Sequence, residues 1–405
     1  MIDIDKIFAD KTFIYSKAKS KKIALFGASE ISRKTRLALS GINFEIIYDN
    51  SANLWGASED KIPISSPKNL RKLKKNIFII ISTTSFIEVA NQLNELGFKA
   101  GEDYVVSPLL KNLVHISKME SLKKKIIFTS GARPIDNKKY GGGIYLLTVN
   151  GNEFKVEKKI SGNSYGLIRF ENNYVAIDNE YGIIEFNHKF EILRKNKLPK
   201  NIRPHGVTYS KKYKRFYIAC SNIDAVLVLD KDFKIKEKIF ISDKSKKSKF
   251  PIHHINDCLV NNDSIYVSMF SETGNWVNDI FDGVVAEYDI LTKKKICSPI
   301  KKFFMPVYLS IINNDFYVLD SLRGNLMGNN TNILGTFPSF TRGLDYSNGL
   351  FFIGQSKNRN FLKILNVKNN SSIDCGIIAF DDKTKSSRLF QFDPRISEIH
   401  SVLTM

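Results

Sequence analysis

The sequence predicts two successive folds, a Rossmann-like α/β domain followed by an all-β propeller of six blades. Up to residue 108, apolar runs alternate with amphipathic helical stretches, whereas later segments are short strands separated by Gly, Asn and Asp turns. The later strands recur at spacings of about 35 to 50 residues, the interval of a propeller blade. The predicted organisation is a lead-in (1–20), an α/β domain (21–108), a basic connector (109–124) and a propeller (125–405).

The composition is that of a globular chain with enough apolar residues for real cores. Of the 405 residues, 43% are hydrophobic and 12% are aromatic. No apolar run is as long as a membrane span, and the first residues lack the pattern of a signal peptide, so we expect a cytoplasmic protein without a membrane span. The four cysteines lie far apart, which argues against a zinc site or a disulfide framework.

The formal net charge of +20 is spread along the chain. Lysines occur in small clusters rather than on one element, and the abundance of Ile, Asn and Lys is that expected from an AT-rich genome. This distribution favours a solvated basic surface and argues against a nucleic-acid partner. Attraction to small anionic molecules stays open.

Four residues of the α/β domain form a candidate cofactor site. A parallel sheet binds its ligand where the strands end, which selects Gly27, Ser29, Asp49 and Asn50. The loop at Gly27 can offer backbone N–H groups to a phosphate, and Asp49 has the spacing of a ribose-binding acid. The predicted cofactor is a nucleotide or a nucleotide sugar. Because only the first glycine of the GxGxxG pattern is present, a docking domain that binds no ligand is the alternative.

Two stretches of this domain carry a resemblance. Residues 48–56 read Tyr-Asp-Asn-Ser-Ala-Asn-Leu-Trp-Gly, and residues 62–70 read Ile-Pro-Ile-Ser-Ser-Pro-Lys-Asn-Leu. They resemble the small Rossmann-like module of bacterial sugar-modifying and surface-polysaccharide proteins, which pairs a strand-end Asp-Asn with a later Trp/Lys-Gly and Pro-x-x-Leu. The resemblance spans residues 21–108 and implies a glycan or nucleotide-sugar setting rather than a particular reaction.

The propeller prediction rests on strands that share a pattern. Five of them open at Asn173, Phe216, Ile265, Phe316 and Phe351. An earlier unit centred on residues 144–147 brings the count to six blades, with five or seven as alternatives. The innermost strand of each blade lines the central channel, so the residues that open each unit are expected to converge on one mouth.

Counting back from these strands places polar residues at the predicted mouth. His205, His254 and Met305 each lie 11 positions before the residue that opens the next strand of their unit. This equal spacing predicts a similar height in the channel. In the earliest propeller repeat, residues 130–133 occupy the equivalent place.

The sequence therefore predicts a ligand site in the channel. His205 and His254 are the candidate catalytic residues, because neutral imidazoles can accept protons or bind a divalent metal. The candidate ligand-binding residues are those that the same counting brings nearby: Arg203, Asn256, Asp257, Tyr308 and Arg342. Arginine can clamp a carboxylate or phosphate, so the expected partner is a small anionic or sugar-like ligand. The alternative is a polar plug, and an insertion at 272–283 is either a lid over the mouth or a decorated loop.

The motifs at these positions resemble a bacterial propeller family of unknown function. The shared motifs are Arg-Pro-His at 203–205, His-Ile-Asn-Asp at 254–257, Met-Pro at 305–306 and Phe-Thr-Arg-Gly-Leu at 340–344. The chain departs from the family at 307–310, where Val-Tyr-Leu-Ser replaces His-Ser-Pro-Arg, and at 320–321, where Asp-Ser replaces Asn-Ser. The family has no assigned activity, so the resemblance implies a fold and not a reaction.

Three functions are compatible with the sequence. We expect a cytoplasmic protein of bacterial surface-glycan or modified-sugar metabolism whose channel binds an anionic saccharide-like ligand, with His-mediated acid/base chemistry and with or without a divalent metal. The first alternative is a non-catalytic binding or scaffold protein that uses the propeller rim for a protein partner. The second is a nucleotide-dependent enzyme that uses Gly27 and Asp49.

Overall fold

The computed structural model describes residues 6–136, 138–328, 331–357 and 371–405. The chain forms two compact units, Met1–Ser121 and Leu122–Met405. Strand accounts for 46% and helix for 15% of the residues that the structure describes. Within the described ranges, no helix has both the length and the apolar character needed to cross a membrane.

The first unit contains a six-stranded sheet and five helices. Its strands are β1 (Lys22–Phe26), β2 (Phe44–Tyr48), β3 (Ser58–Glu59), β4 (Ile62–Ser65), β5 (Ile77–Ile81) and β6 (Tyr104–Val106). Its helices are α1 (Lys11–Ala18), α2 (Glu30–Ala38), α3 (Leu70–Leu73), α4 (Phe86–Glu95) and α5 (Lys111–Glu120). The order across the sheet is β3-β4-β2-β1-β5-β6, with parallel pairs except for the antiparallel β3–β4 hairpin at one edge.

The predicted fold class is wrong for this unit, because a distinct Rossmann-like α/β domain is not evident. The sheet is mixed, and the loop after β1 is closed by the protein's own groups. Asp49 Oδ2 accepts a hydrogen bond of 2.7 Å from the Ala28 N–H, and a Cβ added at Gly27 would lie 2.9 Å from the Thr83 Cβ. Alternating strands and helices predict a sheet, but they do not by themselves establish a nucleotide-binding domain.

The second unit is the predicted six-bladed propeller, built from six four-stranded antiparallel sheets. Blade 1 comprises β10 (Ser164–Phe170), β11 (Asn173–Asp178), β12 (Gly182–Phe186) and β13 (Ile192–Asn196). Blade 2 comprises β14 (Pro204–Ser210), β15 (Arg215–Cys220), β16 (Ala225–Leu229) and β17 (Ile235–Phe240). Blade 3 comprises β18 (Ile255–Asn261), β19 (Ser264–Met269), β20 (Gly283–Asp289) and β21 (Lys295–Phe303), and the short helix α6 (Asp243–Lys247) precedes it.

The remaining blades complete the circle. Blade 4 comprises β22 (Pro306–Ile312), β23 (Asp315–Asp320), β24 (Asn325–Met327) and β25 (Ile333–Thr336). Blade 5 comprises β26 (Phe340–Ser347), β27 (Leu350–Ser356), β28 (Gly376–Phe380) and β29 (Ser387–Gln391). Blade 6 comprises β30 (Ser401–Thr404), β7 (Lys123–Ser130), β8 (Gly143–Asn150) and β9 (Glu153–Ser161).

Blade 6 is closed by strands from opposite ends of the second unit. Its innermost strand is β30, which pairs antiparallel with β7 from Ser401 opposite Thr129 to Thr404 opposite Ile126. The expectation that residues 130–133 precede the innermost strand of this unit is therefore wrong, because Ser130 ends β7, the second strand of the blade, and residues 131–133 follow it. Gly131 nevertheless contacts the innermost strand of blade 1, where its carbonyl accepts a hydrogen bond from the Tyr165 hydroxyl. The innermost position belongs to a strand about 270 positions further along the chain.

Apolar side chains pack between neighbouring blades. One cluster joins Tyr217 and Val226 of blade 2 to Ile255, Val267 and Met269 of blade 3, all of them buried. Burying such side chains stabilises the fold by about 25 cal/mol for each Å² of apolar surface removed from water. The inner strands are thereby held at fixed positions around the channel.

Candidate functional site

One residue from each innermost strand forms a ring around the channel, here called the channel ring. The level of the ring follows from the strand pairing. Val207 lies opposite Ile218 in blade 2, and Cys258 occupies the same position opposite Val267 in blade 3. In each blade the ring residue lies two positions before this paired residue of the innermost strand. Applied to all six blades, this register gives Tyr165, His205, Asn256, Val307, Arg342 and His400. Glycine follows three of them, since a Cβ there would meet the next inner strand, as at Gly343, where it would lie 2.8 Å from the Ser401 Cα.

His254 is not a member of the channel ring, so the predicted equal height of His205 and His254 is wrong. The connection between β14 and β15 has four residues (211–214), whereas that between β18 and β19 has two (262–263). Counting back from the second strand therefore overshoots by two residues in blade 3. The ring equivalent of His205 is Asn256, and His254 lies at the level of Arg203.

Three aromatic side chains of the ring are in contact. The ring centroid of Tyr165 lies 4.8 Å from that of His205 and 4.4 Å from that of His400, and the two imidazoles are 5.8 Å apart. All three side chains are buried. They close one half of the channel ring into a compact polar and aromatic cluster.

A charged network continues from His400. Its Nε2 lies 3.0 Å from Glu398 Oε2 and 3.3 Å from Arg342 Nη1, and the Arg342 Nη1 is also 3.3 Å from Glu398 Oε2. Each of the three residues is less than 10% exposed. Charged groups at such depth require close partners, which the network supplies. The network fixes the position of the Arg342 guanidinium at the channel mouth.

His205 has an unused polar atom. Among the residues that the structure describes, its Nε2 is buried and has no hydrogen-bond partner. Burial holds the pKa of His205 well below its usual range, and His400, Arg203, His254 and Arg342 act in the same direction. The imidazole is therefore neutral at physiological pH. A buried polar atom without a partner costs about 1–3 kcal/mol, which a bound ligand or water would offset.

His254 is covered by the predicted insertion. Its imidazole stacks between Phe270, at a centroid distance of 4.6 Å, and Trp276, at 4.2 Å. Burial lowers its pKa to about 3, with further contributions from Arg203 and Arg342. Its Nδ1 and the indole Nε1 of Trp276 are both buried without a hydrogen-bond partner within the described part of the chain.

A cavity of about 310 Å³ follows the channel. Of the predicted site residues, it is lined by His205, Asn256, Asp257 and Tyr308. Tyr165 and His400 line it as well. Arg342 and His254 lie beside its wall rather than on it, and Arg203 is exposed. The structure thus brings part of the predicted set to one cavity and places the rest around its rim.

Asp257 replaces glycine at the position after the ring residue. Its carboxylate accepts hydrogen bonds of 2.9 Å from the Leu309 N–H of blade 4 and of 2.9 Å from the Cys258 N–H. It lies against Gly206, where a Cβ would overlap it. Burial raises the pKa of Asp257 to about 7, although these two hydrogen bonds lower it.

This raised pKa predicts a pH dependence of stability. Because the folded-state pKa lies above the ordinary value of about 3.9, the folded protein binds more protons than the unfolded chain between about pH 4 and 7. The contribution of Asp257 to the free energy of unfolding therefore falls as pH rises through this window. The buried His205 and His254 contribute with the opposite sign, because their lowered pKa values mean that the unfolded chain binds more protons than the folded protein below about pH 6.5. We therefore expect Asp257→Asn, which keeps an acceptor for Leu309, to make the slope of the free energy of unfolding against pH more positive than in the unmodified protein, as measured by denaturant titrations at pH 5, 6 and 7.

The control for this prediction is Asp263→Asn, which changes an exposed carboxylate whose pKa is lowered by its hydrogen bond to Lys212. The buried Asp320 has a pKa raised to about 7 by burial and is unchanged in both variants, so its contribution to the pH dependence should remain in both. A pH slope in Asp257→Asn equal to that of the unmodified protein would show that Asp257 does not titrate in this window.

Comparison with known proteins gives similarity of shape at low identity. No family model and no curated protein matches the sequence. A Bacteroides caccae protein of unknown function is 10% identical, covers 70% of this chain and 99% of its own, and has a TM-score of 0.48. A nidogen/laminin complex is also 10% identical, covers 70% of this chain and 98% of its own, and has a TM-score of 0.48. A catalytically inactive virginiamycin B lyase from Staphylococcus aureus with quinupristin is 10% identical, covers 56% of this chain and 76% of its own, and has a TM-score of 0.36.

Identities of 10% and TM-scores below 0.5 do not support any inference about function. The propeller rests on the chain's own strand pairing. The family resemblances of the propeller motifs and of residues 21–108 stay predictions. The site has to be interpreted from its own residues.

Sequence reasoning missed His400 and Glu398. A signal for His400 exists, since each ring residue is followed by a small or polar residue and then, in most blades, by an aliphatic one. The six triplets are Tyr-Gly-Leu at 165–167, His-Gly-Val at 205–207, Asn-Asp-Cys at 256–258, Val-Tyr-Leu at 307–309, Arg-Gly-Leu at 342–344 and His-Ser-Val at 400–402. No comparable signal marks Glu398, which the structure places beside Arg342 and His400.

No metal is assigned to the channel. Within the described residues, no group of three or more His, Cys, Asp or Glu side chains is placed to hold a metal ion. The predicted divalent metal is therefore not part of the function proposed below.

The candidate cofactor residues of the first unit lie together at the ends of β1 and β2. Asp49 accepts hydrogen bonds from the N–H groups of Ala28 and Ser51. The other two side chains also have partners: Ser29 donates to the Ser82 carbonyl, and Asn50 exchanges two hydrogen bonds with Gln92. Gly27 has a φ of +110°, so it makes the sharp turn after β1. A cofactor role for this group stays a prediction.

Proposed function

We propose that the channel mouth binds a small anionic, saccharide-like ligand and that His205 exchanges a proton with it. The observation that carries the proposal is the buried Nε2 of His205, which lines the cavity without a hydrogen-bond partner among the described residues. Convergent polar groups in a concave site are the usual mark of a ligand site.

The charges at the mouth favour an anion. Two guanidinium groups, those of Arg203 and Arg342, accompany the carboxylates of Glu398 and Asp257, and burial raises the pKa of Asp257 to about 7, so that this group is only partly charged at neutral pH. His205 and His254 have lowered pKa values and are neutral. The exposed Arg203 lowers the pKa of both imidazoles, so its positive charge acts at the mouth and favours a carboxylate or phosphate on the ligand.

The cavity wall suits the hydroxyl groups of a sugar. Asn256 offers an amide and Ser401 a hydroxyl, and both line the cavity. The Tyr165 ring lies between His205 and His400 and adds an aromatic surface to the cavity wall. These groups support a saccharide-like body attached to the anionic group.

Proton exchange follows from the environment of His205. An anion bound beside the imidazole stabilises its protonated form and raises its pKa, so binding takes up a proton. The same imidazole can then return that proton to a leaving or departing group, which is general acid/base chemistry. The affinity for an anionic ligand is therefore expected to increase as pH falls.

The biological setting rests on sequence resemblance alone. Surface-glycan or modified-sugar metabolism follows from residues 48–56 and 62–70, and it stays a prediction. The cytoplasmic location stays a prediction as well.

His205→Phe tests the proposal, because phenylalanine keeps the contact with Tyr165 and removes the nitrogen. We expect calorimetric titration with glucuronate, galacturonate and N-acetylneuraminate to show binding of at least one of these acids by the unmodified protein. The variant should lose about 10- to 100-fold in affinity, the factor for one hydrogen bond to a charged group. The matched control is His188→Phe, at an exposed histidine bonded to Tyr174, which should bind normally.

The outcomes separate this proposal from the scaffold alternative. If no acid binds, or if His205→Phe binds as tightly as the unmodified protein, the channel is not the ligand site. Loss of a protein partner on substitution of rim residues, with His205→Phe silent, would favour a scaffold that uses the propeller rim.

A further inference from the structure

A second pocket lies on blade 6, outside the channel. It has a volume of about 460 Å³ and is formed by loop 138–140, by β8 and β9, and by residues near 393–396. Four lysines reach its lining: Lys159, which is paired with Glu157, and Lys138, Lys139 and Lys158. Tyr145 lies on the same lining.

Lys158 is the lysine held most firmly in this pocket. It is half-buried on β9, its Nζ donates a hydrogen bond to the Tyr140 carbonyl, and the Nζ lies 5.3 Å from the centroid of the Tyr145 ring. Tyr145 is itself buried and stacks on Phe128 at 5.0 Å. The amino group is thus presented from a rigid strand over an aromatic surface.

The acidic groups of this pocket are paired with other cations. Glu157 forms ion pairs with Lys155 at 3.2 Å and with Lys159 at 3.6 Å. Asp393 forms an ion pair with Arg395 at 2.6 Å. Within the described ranges, Lys138, Lys139 and Lys158 form no ion pair with a carboxylate, so the pocket carries an excess of positive charge suited to a phosphate.

We propose that this pocket binds a small phosphorylated aldehyde and that Lys158 forms an imine with it. The Lys158 nitrogen attacks the aldehyde carbon and forms the C–N bond. The carbonyl oxygen leaves as water with the two protons of the neutral amine, so no oxidant or reductant is needed. Lys138 and Lys139 bind the phosphate, and Tyr145 supports the body of the ligand.

The amine is suited to this reaction because the neutral form is the nucleophile. Burial lowers the pKa of Lys158 to about 8, while Glu180 acts in the opposite direction. At pH 7.5 such an amine is neutral roughly a hundred times more often than a lysine with the ordinary pKa of about 10.4. The geometry and the protonation state therefore favour the same residue.

Pyridoxal 5′-phosphate is the probe, since it carries both an aldehyde and a phosphate. The protein is treated with less than one equivalent, reduced with borohydride and digested, and the labelled lysine is located by mass spectrometry. We expect Lys158 to be labelled at least about tenfold more than any other lysine, and the label to increase with pH through about 8. Pyridoxine 5′-phosphate, which has the phosphate but no aldehyde, should protect Lys158.

Two variants keep the test decisive. Lys158→Arg retains the positive charge and should lose the label. Lys155→Arg changes an exposed lysine of the same strand, and this variant should still be labelled at Lys158. Circular dichroism checks that both variants are folded. Labelling spread evenly over surface lysines, a total label that is as high in Lys158→Arg as in the unmodified protein, or no protection by pyridoxine 5′-phosphate would overturn the proposal.

Discussion

A chain that ends at Ser397 is expected to lose the propeller as a cooperative unit. The deletion removes β30, so blade 6 loses its innermost strand and β7 becomes an open edge. It also removes Ile399 and Val402, which are fully buried, and Leu403, which is nearly so. Deleting a buried aliphatic side chain costs on the order of 2–4 kcal/mol, so the sum approaches the total stability of a typical domain, about 5–15 kcal/mol. Thermal unfolding and limited proteolysis of the truncated chain measure the effect.

Deletion of Met405 alone is the control, because this residue is exposed and lies beyond β30. It should leave the melting temperature close to that of the full chain. A synthetic peptide spanning residues 398–405, added to the truncated chain, should restore part of the protease resistance by pairing with β7. A truncated chain with an unchanged melting temperature would mean that blade 6 does not need β30.

Arg342→Met is expected to lower the free energy of unfolding by about 3–5 kcal/mol, the range for removing one partner of a buried ion pair. Arg342 and Glu398 are each 8% exposed, and the substitution leaves the Glu398 carboxylate buried without the guanidinium. Methionine retains most of the apolar stem, so the loss reports on charge rather than on volume. Chemical denaturation at pH 7 measures it.

The double variant Arg342→Met/Glu398→Gln identifies the cause. If the Glu398 carboxylate that has lost the guanidinium is responsible, neutralising it should recover part of the loss, and the two changes should not be additive. Arg395→Met is the comparison at the surface, where the ion pair with Asp393 is half-exposed and worth about 0–1 kcal/mol. A loss for Arg342→Met no larger than that for Arg395→Met would show that the buried network does not stabilise the channel mouth.

The propeller could be predicted because its second strands carry a strong pattern. The predicted strand openings at Phe216, Ile265 and Phe316 each lie one residue inside β15, β19 and β23. Such strands are buried on both faces by neighbouring blades, so they read as short apolar runs between turns. Six blades and several residues of the channel wall followed from this repetition.

Heights within the channel could not be predicted from the same repetition. The difference between a four-residue and a two-residue connection, at 211–214 and 262–263, is invisible when spacings are counted from the second strand. Because of this difference, the sequence count predicted His254 at the level of His205, where the structure places Asn256. The sequence count also centred an early unit on residues 144–147 and aligned them with the second strands of the other blades, whereas they belong to β8, the third strand of blade 6.

The remaining errors arise from long-range pairing and from weak local signals. No local sequence pattern indicates that β30 pairs with β7, because this pairing joins the two ends of the unit and forms only when the propeller closes. In the first unit, a single glycine at position 27 is a weak local signal, so a nucleotide-binding loop there stays a prediction. The carboxylate of Asp49 accepts a hydrogen bond from the Ala28 N–H of that loop.

The pairing of β30 with β7 also has a kinetic consequence. The Ser401 N–H bonds to the Thr129 side chain across 272 positions of the chain. At a synthesis rate of about 5–20 residues per second, β30 emerges roughly 15–50 s after β7. During that time β7 and the other blades present an unpaired edge, the kind of surface on which chains aggregate. High expression rates should therefore favour insoluble protein, and slower synthesis at low temperature should favour the closed propeller.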